Sequence, residues 1–308
     1  MAVKSNREYL ASAGLLAASI FWGSSFAITK SAIDVMPPLF LLTLRNAVAG
    51  LILLAIFWKS LKNINRRLLW HSFLISLTMT AGNVLQIIGM KYTTAGKASF
   101  ITTLYVVLVP FFDWAARRIK PGAKDIAAAA IAITGIALLA LKSDFSLGRG
   151  DFLVLLCSLA YAVQMIMISQ YAKGADAIML TSLQLLMHAA TCAVGSALLE
   201  KPSFAIFADA KTSLTLLYLA IFCTMIPFLL QNVGLKYVSA SLCALLVSME
   251  SVFGAIFSAL LLNETMTWRM RAGCALVLLA VIMSALVPAL KSSRDKRLAA
   301  KAEQMDTE

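Results

Sequence analysis

The sequence predicts an all-α polytopic membrane protein with ten transmembrane helices, arranged as two inverted repeats of five helices each. Three observations lead to this fold class. Hydrophobic residues make up 60% of the chain and charged residues only 14%, whereas soluble domains carry about 25% charged residues. The apolar residues fall in blocks of roughly 20, the length of a helix that crosses a bilayer. One string of residues also recurs with the same spacing in both halves of the chain.

Each apolar block predicts one helix, because helices satisfy their own backbone hydrogen bonds in lipid and the blocks lack the alternation of barrel strands. The first block follows Lys4 and Arg7 but is too long for a signal peptide, so we expect a retained helix. The predicted spans are Leu10–Thr29, Leu39–Trp58, Trp70–Met90, Ala98–Ala116, Ile126–Leu141, Phe152–Tyr171, Ile178–Leu199, Ser213–Leu235, Ser241–Leu262 and Ala272–Leu290. They divide the chain into an N-terminal segment (1–9), a first five-helix repeat (10–142), a second five-helix repeat (150–290) and a disordered C-terminal tail (291–308).

The distribution of basic residues predicts the orientation of the chain. The net charge is +12, and the excess of lysine and arginine lies on the loops that share a side with both termini. By the positive-inside rule, the N-terminal segment and the tail are then cytoplasmic. Most of the bias comes from Lys59, Lys62, Arg66, Arg67, Arg117, Arg118, Lys120 and Lys124. This distribution predicts a multi-pass protein of the cell (inner) membrane rather than a nucleic-acid-binding protein.

The cysteines and histidines give no sign of a metal or redox centre. Cys157, Cys192, Cys223, Cys243 and Cys274 all fall inside predicted spans without paired ligand spacing, so we expect them to pack as small apolar residues. The two histidines, His71 and His188, lie on different spans, and the sequence contains no Walker loop. We therefore expect neither a cofactor nor an enzyme, although a membrane-embedded enzyme and a non-transporting scaffold remain alternatives.

An internal repeat joins the two halves. Superposing Leu85–Ala140 on Leu230–Ala285 without a gap repeats the string L-Q-x-x-G-x-K-Y-x-x-A after 145 residues. An odd number of spans per repeat places the two copies in opposite orientations across the membrane. Transporters with such inverted repeats hold their substrate near the bilayer midplane between the copies. The alternative is that the duplication reflects only the evolution of a membrane scaffold.

Three segments carry a family resemblance. F-W-G-S-S-F-A-I-T-K (Phe21–Lys30), Y-T-T-A-G-K-A-S-F-I-T-T-L-Y-V-V-L-V-P (Tyr92–Pro110) and S-M-E-S-V-F-G-A-I-F-S-A-L-L-L-N-E (Ser248–Glu264) resemble the EamA-type branch of the drug/metabolite transporter superfamily. The resemblance covers about residues 10 to 290 and implies ten helices in paired inverted repeats, with transport of small metabolites such as amino acids. The chain departs from the family pattern at Glu250-Ser251, where Glu-Pro is usual, and at Arg45-Asn46, where Arg-Phe is usual.

Two charged residues inside spans are the strongest candidates for a site, because a charge at a helix centre costs about 2.5–3.5 kcal/mol on insertion scales. Glu250 lies near the middle of span nine and is a candidate for proton coupling or for a substrate amine, with a structural hydrogen bond between helices as the alternative. Arg45 lies about two turns into span two and could bind a carboxylate or phosphate, or could extend to the headgroups. We interpret Asp113 and Arg117 as an ion pair at the membrane boundary.

Polar and aromatic residues at helical spacing extend this candidate site over several spans. Tyr105 is the repeat partner of Glu250, so a phenol from one half and a carboxyl from the other could meet on the pseudo-symmetry axis. Each polar face alone is more often helix-packing contact than a binding site, but their number favours a hydrated central cavity. The predicted substrate-binding residues are Trp22, Ser25, Arg45, Asn83, Gln86, Tyr105, Tyr161, Gln164, Gln184, Gln231 and Glu250.

Two prolines complete the expected machinery. Pro110 and Pro227 each remove a helix hydrogen bond and are candidate hinges, with fixed bends as the alternative. The sequence therefore predicts a secondary active transporter that moves a small polar metabolite by alternating access, with export favoured over import and proton coupling through Glu250. The expected partners are a small-molecule substrate and the lipid bilayer, without nucleic acid, and a homodimer is one alternative for the oligomeric state.

Overall fold

The structure is a computed structural model that describes residues 2–118, 120–140, 148–265, 267–269, 271–276, 278–280 and 283. Every regular element among these residues is helical. The α-helices are α1 (Ala2–Ala32), α2 (Pro38–Ile56), α3 (Arg66–Met90), α4 (Ala95–Thr102), α5 (Tyr105–Arg117), α6 (Ala123–Ala140), α7 (Arg149–Tyr171), α8 (Ala177–Leu199), α9 (Ala210–Ala220), α10 (Ile226–Gly234), α11 (Ala240–Val247) and α12 (Glu250–Leu262). Short 3-10 helices cover Trp58–Asn63, Ala172–Gly174 and Phe204–Ala208, and a π-helical turn at Ile221–Met225 joins α9 to α10.

Eight helical segments among the described residues are long and apolar enough to cross a membrane. They are Asn6–Ala32, Pro38–Ile56, Arg66–Met90, Ala95–Arg117, Arg149–Gly174, Ala177–Leu199, Ala210–Gly234 and Ala240–Leu262. These segments coincide with predicted spans one to four and six to nine. The multi-pass helical fold that the sequence predicts is therefore confirmed at these eight positions.

The fifth and tenth predicted spans are not among these eight segments. The fifth lies on α6, whose apolar part, Ile126–Gly135, is shorter than a membrane span. The described part of the tenth is an apolar helix at Arg271–Ala280. The remainder of the tenth span, most of the loop before α7 and the C-terminal tail at 291–308 lie outside the described residues.

Side-chain caps explain where several helices begin, since the first N–H groups of a helix have no partner within it. Asn65 accepts a hydrogen bond from the N–H of Leu68 at the start of α3. Asp176, Asp209 and Ser239 cap α8, α9 and α11 in the same way. Asp209 is fully exposed, and hydrogen bonds from the side chain and backbone of Thr212 lower the pKa of its carboxyl below the usual value.

Spans four and nine are each broken into two helices at equivalent positions. The first break, at Thr103 and Leu104, separates α4 from α5, and the second, at Ser248 and Met249, separates α11 from α12. The two breaks are 145 positions apart, the offset at which the sequence string recurs. The helices that follow them both end on a residue in the left-handed conformation, Arg118 (φ 59°) and Asn263 (φ 53°).

Corresponding helices of the two halves of the chain make corresponding packing contacts. Helix α2 packs against α8, and α4 packs against α12. The contact of α3 with α7 has its counterpart in the contact of α10 with α1. The contact of α1 with α12 has its counterpart in that of α7 with α5, and the contact of α1 with α11 in that of α7 with α4. These contacts enclose the polar centre of the bundle between α1, α3, α7 and α10 and the two broken spans.

Three carboxylates join these elements at one end of the bundle, which we call the acid-sealed end. Glu200, which follows α8, accepts hydrogen bonds from the N–H groups of Leu39 and Phe40 at the start of α2, both at 2.9 Å. Glu264, which follows α12, accepts from the N–H groups of Ala95 and Gly96 at the start of α4, at 3.0 and 3.1 Å. At the start of α7, Asp151 accepts from the hydroxyl of Thr93. Carboxylates are well placed at helix N-termini, where the exposed N–H groups carry partial positive charge.

Candidate functional site

A cavity lies at the centre of the helical bundle. It offers about 60 Å³ to the centres of water molecules, so it is large enough to hold water. The lining residues are Trp22, Ser25, Phe26, Thr29, Leu42, Arg45, Asn83, Gln86, Ile87, Met90, Thr102, Tyr105, Tyr161, Gln164, Met165, Phe228, Gln231, Val247 and Glu250. Ten of the eleven residues that the sequence predicts for substrate binding lie on this lining, and the exception is Gln184.

Tyr105 and Glu250 meet at the cavity. Each is the first residue after a helix break, Tyr105 in α5 and Glu250 in α12, and both side chains are buried. The phenol of Tyr105 donates a hydrogen bond to Oε1 of Glu250 at 3.0 Å. The two repeat partners are therefore in direct contact, and the broken spans bring them there because each break lies at the same position of its half.

Arg45 reaches the cavity from α2 and is held by the π-helical turn. Its Nε donates to Oγ1 of Thr224 at 2.8 Å, and its Nη2 donates to the carbonyl oxygen of Cys223 at 3.3 Å. The side chain is only 6% exposed, so it does not extend to the headgroups. The alternative of a snorkelling arginine is wrong, because the turn offers two acceptors inside the bundle.

A short hydrogen-bonded chain connects α7, α3 and α4 beside these charges. The phenol of Tyr161 donates to Oε1 of Gln86 at 3.3 Å, and Nε2 of Gln86 donates to Oγ1 of Thr102 at 3.0 Å. Asn83, one turn before Gln86, donates to the carbonyl oxygen of Met79 in its own helix. Gln86 is thus oriented by two neighbouring helices and Asn83 by its own helix, and both line one wall of the cavity.

Two buried amide side chains on the lining have a polar atom without a partner. Nε2 of Gln164 and Oε1 of Gln231 make no hydrogen bond to any described residue. An unpartnered buried polar group costs about 1–3 kcal/mol, so these two amides are held in the lining without the hydrogen bonds that would stabilise them. The sequence predicts both residues for the site, Gln164 from its helical spacing with Tyr161 and Gln231 as the repeat partner of Gln86.

Aromatic rings close part of the cavity. Trp22 packs edge-on against Phe228, with ring centroids 5.2 Å apart and an interplanar angle of 72°. Sequence reasoning did not select Phe228, nor the other apolar lining residues Phe26, Leu42, Ile87, Met90, Met165 and Val247. A signal for Phe228 is its position three residues before Gln231, on the same face of α10. The apolar members had no such signal, because they look like ordinary core residues.

Gln184 does not line the cavity, in contrast to its prediction as a substrate-binding residue. The side chain is fully buried on α8, and both of its amide atoms lack a partner among the described residues. Helix α8 packs against α2 and α3, so this face of the helix is taken up by helix contacts. His188, one turn later, is likewise buried, with Nδ1 2.8 Å from Oγ1 of Thr80.

The predicted boundary pair and hinges lie away from the lining. Asp113 and Arg117 form an ion pair one turn apart on α5, as the sequence indicates. Pro110 is inside α5, and Pro227 is at the start of α10, directly after the π-helical turn. Both prolines interrupt spans that contact the cavity, and their role as hinges stays a prediction.

A second, larger opening lies at the end of the bundle opposite the acid-sealed end, and we call it the basic cleft. It offers about 480 Å³ and is bordered by α5, α7 and the start of α11. Four cationic side chains, of Arg117, Lys120, Lys173 and Lys236, line it together with the two acidic side chains of Glu8 and Asp113. Along α5 and α7 the cleft is separated from the central cavity by about one helical turn, from Tyr105 to Pro110 and from Met165 to Ser169.

The electrostatics of the central cavity are unusual, because it contains one cation and one acid that are not paired with each other. The hydrogen-bond partners of Arg45 are a hydroxyl and a carbonyl, and the partner of Glu250 is a phenol. In the described part of the chain, the ion pair on α5 is the one salt bridge found. A buried charge without a counter-charge is costly, so the cavity is suited to a solute that supplies the missing charges.

Comparison with known proteins identifies similar chains. The model of the EamA-like transporter family matches residues 10–141 and again residues 148–286. A protein of Archaeoglobus fulgidus named as an uncharacterized transporter is 33% identical over 286 residues, which cover 91% of this chain and 87% of that one. The uncharacterized transporter YvbV of Bacillus subtilis is 24% identical and is matched over 86% of this chain and 88% of its own. A protein of known crystal structure shares the fold, with a TM-score of 0.73 at 17% identity over 91% of this chain and 97% of that chain.

Proposed function

Because this chain belongs to the EamA-like transporter family, we propose that it is a secondary active transporter of a small polar metabolite, an amino acid or a related compound. The proposed site is the central cavity, and the proposed mechanism is alternating access with export as the favoured direction. The lining residues Trp22, Ser25, Asn83, Gln86 and Tyr161 would contact the substrate together with the two charged residues.

The observation that carries this proposal is the presence of Arg45 and Glu250 on one buried cavity, each with neutral partners only. A zwitterion would offer a carboxylate to the guanidinium and an ammonium group to the carboxylate. Glu250 can alternatively hold a proton, which also removes its charge from the apolar interior. These two ways of neutralising Glu250 are mutually exclusive, so substrate and proton would compete for it. That competition is the simplest basis for proton coupling.

We propose the ten-helix arrangement of two inverted repeats, residues 10–142 and 150–290, as the framework of this site. Three observations support it. The family model matches the chain twice, and the helix breaks in spans four and nine lie 145 positions apart. Contacts between a helix of the first half and one of the second also recur between their repeat counterparts. In such a framework the broken spans meet at the pseudo-symmetry axis, where Tyr105 donates to Glu250.

We also propose that the chain lies in the cell (inner) membrane with both termini in the cytoplasm. The basic cleft supports this orientation, since Arg117 and Lys120 line it and belong to the loops that the positive-inside rule places in the cytoplasm. The acid-sealed end would then face outward. The hydrogen bonds of Asp151, Glu200 and Glu264 would then hold the outward end together, and the larger opening would face the cytoplasm, the side from which an exported solute is loaded.

The test is reconstitution of the purified protein into liposomes with each of the twenty radiolabelled L-amino acids, with and without a pH gradient. We expect the parent protein to move at least one of them and Arg45→Ala to move it much more slowly. If no amino acid moves in any condition, the proposed function is wrong. If Arg45→Ala transports like the parent, the central cavity is not the substrate site.

A further inference from the structure

We propose that Thr224 is a positioning residue for Arg45, and that the π-helical turn around it makes the central cavity selective for solutes with an anionic group. This inference rests on the proposed function, because it concerns the group that would bind the substrate carboxylate. It adds a residue that does not line the cavity and that the sequence did not indicate. Thr224 is fully buried between α2 and the segment from α9 to α10.

The local backbone explains why this turn offers an acceptor to an arginine. Pro227 has no N–H, so the carbonyl of Cys223, four residues earlier, lacks its usual α-helical donor. The π-helical turn at Ile221–Met225 also ends two residues before the proline. Nη2 of Arg45 donates to this carbonyl oxygen at 3.3 Å. The guanidinium therefore takes the place of a missing backbone donor, and the proline and the arginine are physically linked.

Thr224 fixes the other side of the guanidinium. Its hydroxyl donates to the carbonyl oxygen of Leu219, five residues earlier, at 2.8 Å. Because that bond uses the hydroxyl proton, the oxygen is left as an acceptor, and it accepts from Nε of Arg45 at 2.8 Å. A serine hydroxyl could do the same, whereas a valine of similar shape could not.

These two contacts leave the rest of the guanidinium available. An arginine side chain has five N–H groups in a planar fork, and the two described bonds use one on Nε and one on Nη2. Arg45 lines the central cavity and has no acidic partner among the residues that the structure describes. Its remaining N–H groups suit a carboxylate or another anionic oxygen pair, which arginine binds through two parallel hydrogen bonds.

The other half of the chain provides an internal comparison. Gln184 on α8 matches Arg45 on α2 when the early spans of the two halves are superposed with an offset of 139 residues, slightly less than the 145 of the later spans. The counterpart of the α9–α10 segment is α3, which is one continuous α-helix from Arg66 to Met90. Without a π-helical turn, no acceptors are presented to Gln184, whose amide atoms lack partners and which does not line the cavity. Of these two side chains, Arg45 lines the cavity and is bound by a π-helical turn, whereas Gln184 has no such turn beside it and does not line the cavity.

The experiment compares Thr224→Val, Thr224→Ser and the parent protein in liposomes. The probes are the twenty L-amino acids, each paired with the amino alcohol in which the carboxylate is reduced. For Thr224→Val we expect the KM for amino acids that the parent transports to rise by about ten- to hundredfold, the effect of losing a hydrogen bond to a charged group. Thr224→Ser should stay close to the parent. Inhibition by the amino alcohols, which lack the anionic group, should be the same in all three proteins.

Thr215→Val is the matched control, since its hydroxyl donates to a carbonyl of the same segment at an exposed position. It should leave the KM unchanged. If Thr224→Val transports with the parent KM, or if it weakens amino acids and amino alcohols equally, the positioning role is overturned while the proposed function stands. If Thr224→Val does not fold, loss of carboxylate selectivity in Thr224→Ala, which keeps a smaller side chain, decides the question in the same way. If the parent itself transports no amino acid, the proposed function fails first.

Discussion

At the scale of single residues, the contact between Tyr105 and Glu250 defines what each can do. The phenol occupies one carboxyl oxygen at 3.0 Å and leaves the other for a substrate amine or a proton. A carboxyl in this position connects substrate binding to proton binding only if it can change its charge. A residue that merely holds two helices together would not need to do so.

Replacing Glu250 by glutamine separates these two roles. Glutamine keeps the size of the side chain and an acceptor for Tyr105, but it cannot exchange a proton. We expect Glu250→Gln to lose the stimulation of uptake by a pH gradient while it retains exchange of substrate across the membrane without a gradient. The measurement is the ratio of initial rates in proteoliposomes with and without the gradient.

Two further variants control this prediction. Glu8→Gln carries the same change on an exposed residue of the basic cleft and should keep the gradient response. Tyr105→Phe removes the donated hydrogen bond but not the acid, so it should also respond to the gradient. Transport by Glu250→Gln that still follows the pH gradient would exclude this residue as the proton carrier.

At the scale of helices, close contact between spans four and nine holds the site together. A methyl group placed on Gly254 of α12 would lie 2.5 Å from Cβ and from Oγ of Ser99 on α4. Real Cβ atoms do not approach one another so closely, and the Cβ of Ser99 can move only with its backbone. Because Glu250 is one turn before Gly254, the spacing between these helices also sets the position of the carboxyl.

We therefore expect Gly254→Ala to destabilise the protein by about 1–3 kcal/mol, as overpacked interiors do, and to lower its melting temperature by several degrees. A thiol-reactive fluorophore can follow unfolding in detergent, because Cys157, Cys192, Cys223 and Cys243 are buried in the native fold. Gly174→Ala is the control, since no atom lies within 4 Å of a methyl group at that position. Equal melting temperatures for the two variants would show that the two spans can separate at no cost.

The elements also show what could be predicted from the sequence. The long apolar blocks and the recurring string were sufficient for eight spans and for the meeting of Tyr105 with Glu250, because both depend on periodicity and on the repeat. The acceptors around Arg45 could not be predicted, since a π-helical turn before Pro227 leaves no pattern in the side chains. Gln184 has the polarity and spacing of a site residue, so the sequence predicts that it lines the cavity. It does not reach the cavity, because backbone geometry and helix packing, which the side-chain pattern does not encode, decide which polar residues do so.

At the scale of the whole molecule, the two ends of the bundle differ in how they are closed. At the acid-sealed end, Glu200 and Glu264 each bind two backbone N–H groups at the start of a helix. At the other end the basic cleft is open to about 480 Å³. A carrier that alternates between two open states must separate α2 from Glu200 and α4 from Glu264 to open the acid-sealed end. In a carrier of the proposed kind, the strength of these contacts would therefore set the population of that second state.

Neutralising one of these acids should shift that population. Glutamine at position 264 has a single acceptor oxygen and no charge, so it cannot bind both N–H groups of Ala95 and Gly96 as the carboxylate does. Loss of about 1.4 kcal/mol from this contact would make the opened state about tenfold more populated.

The measurement uses a protein whose native cysteines are replaced and which carries a new cysteine at Met90, a residue on the lining of the central cavity. We expect this cysteine to react about tenfold faster with a membrane-impermeant thiol reagent when Glu264→Gln is also present. The faster reaction should occur when the reagent is added on the acid-sealed side and not on the side of the basic cleft. Glu8→Gln, an exposed residue of the basic cleft, should leave both rates unchanged, and an unchanged rate in Glu264→Gln would show that this carboxylate does not control opening of its end.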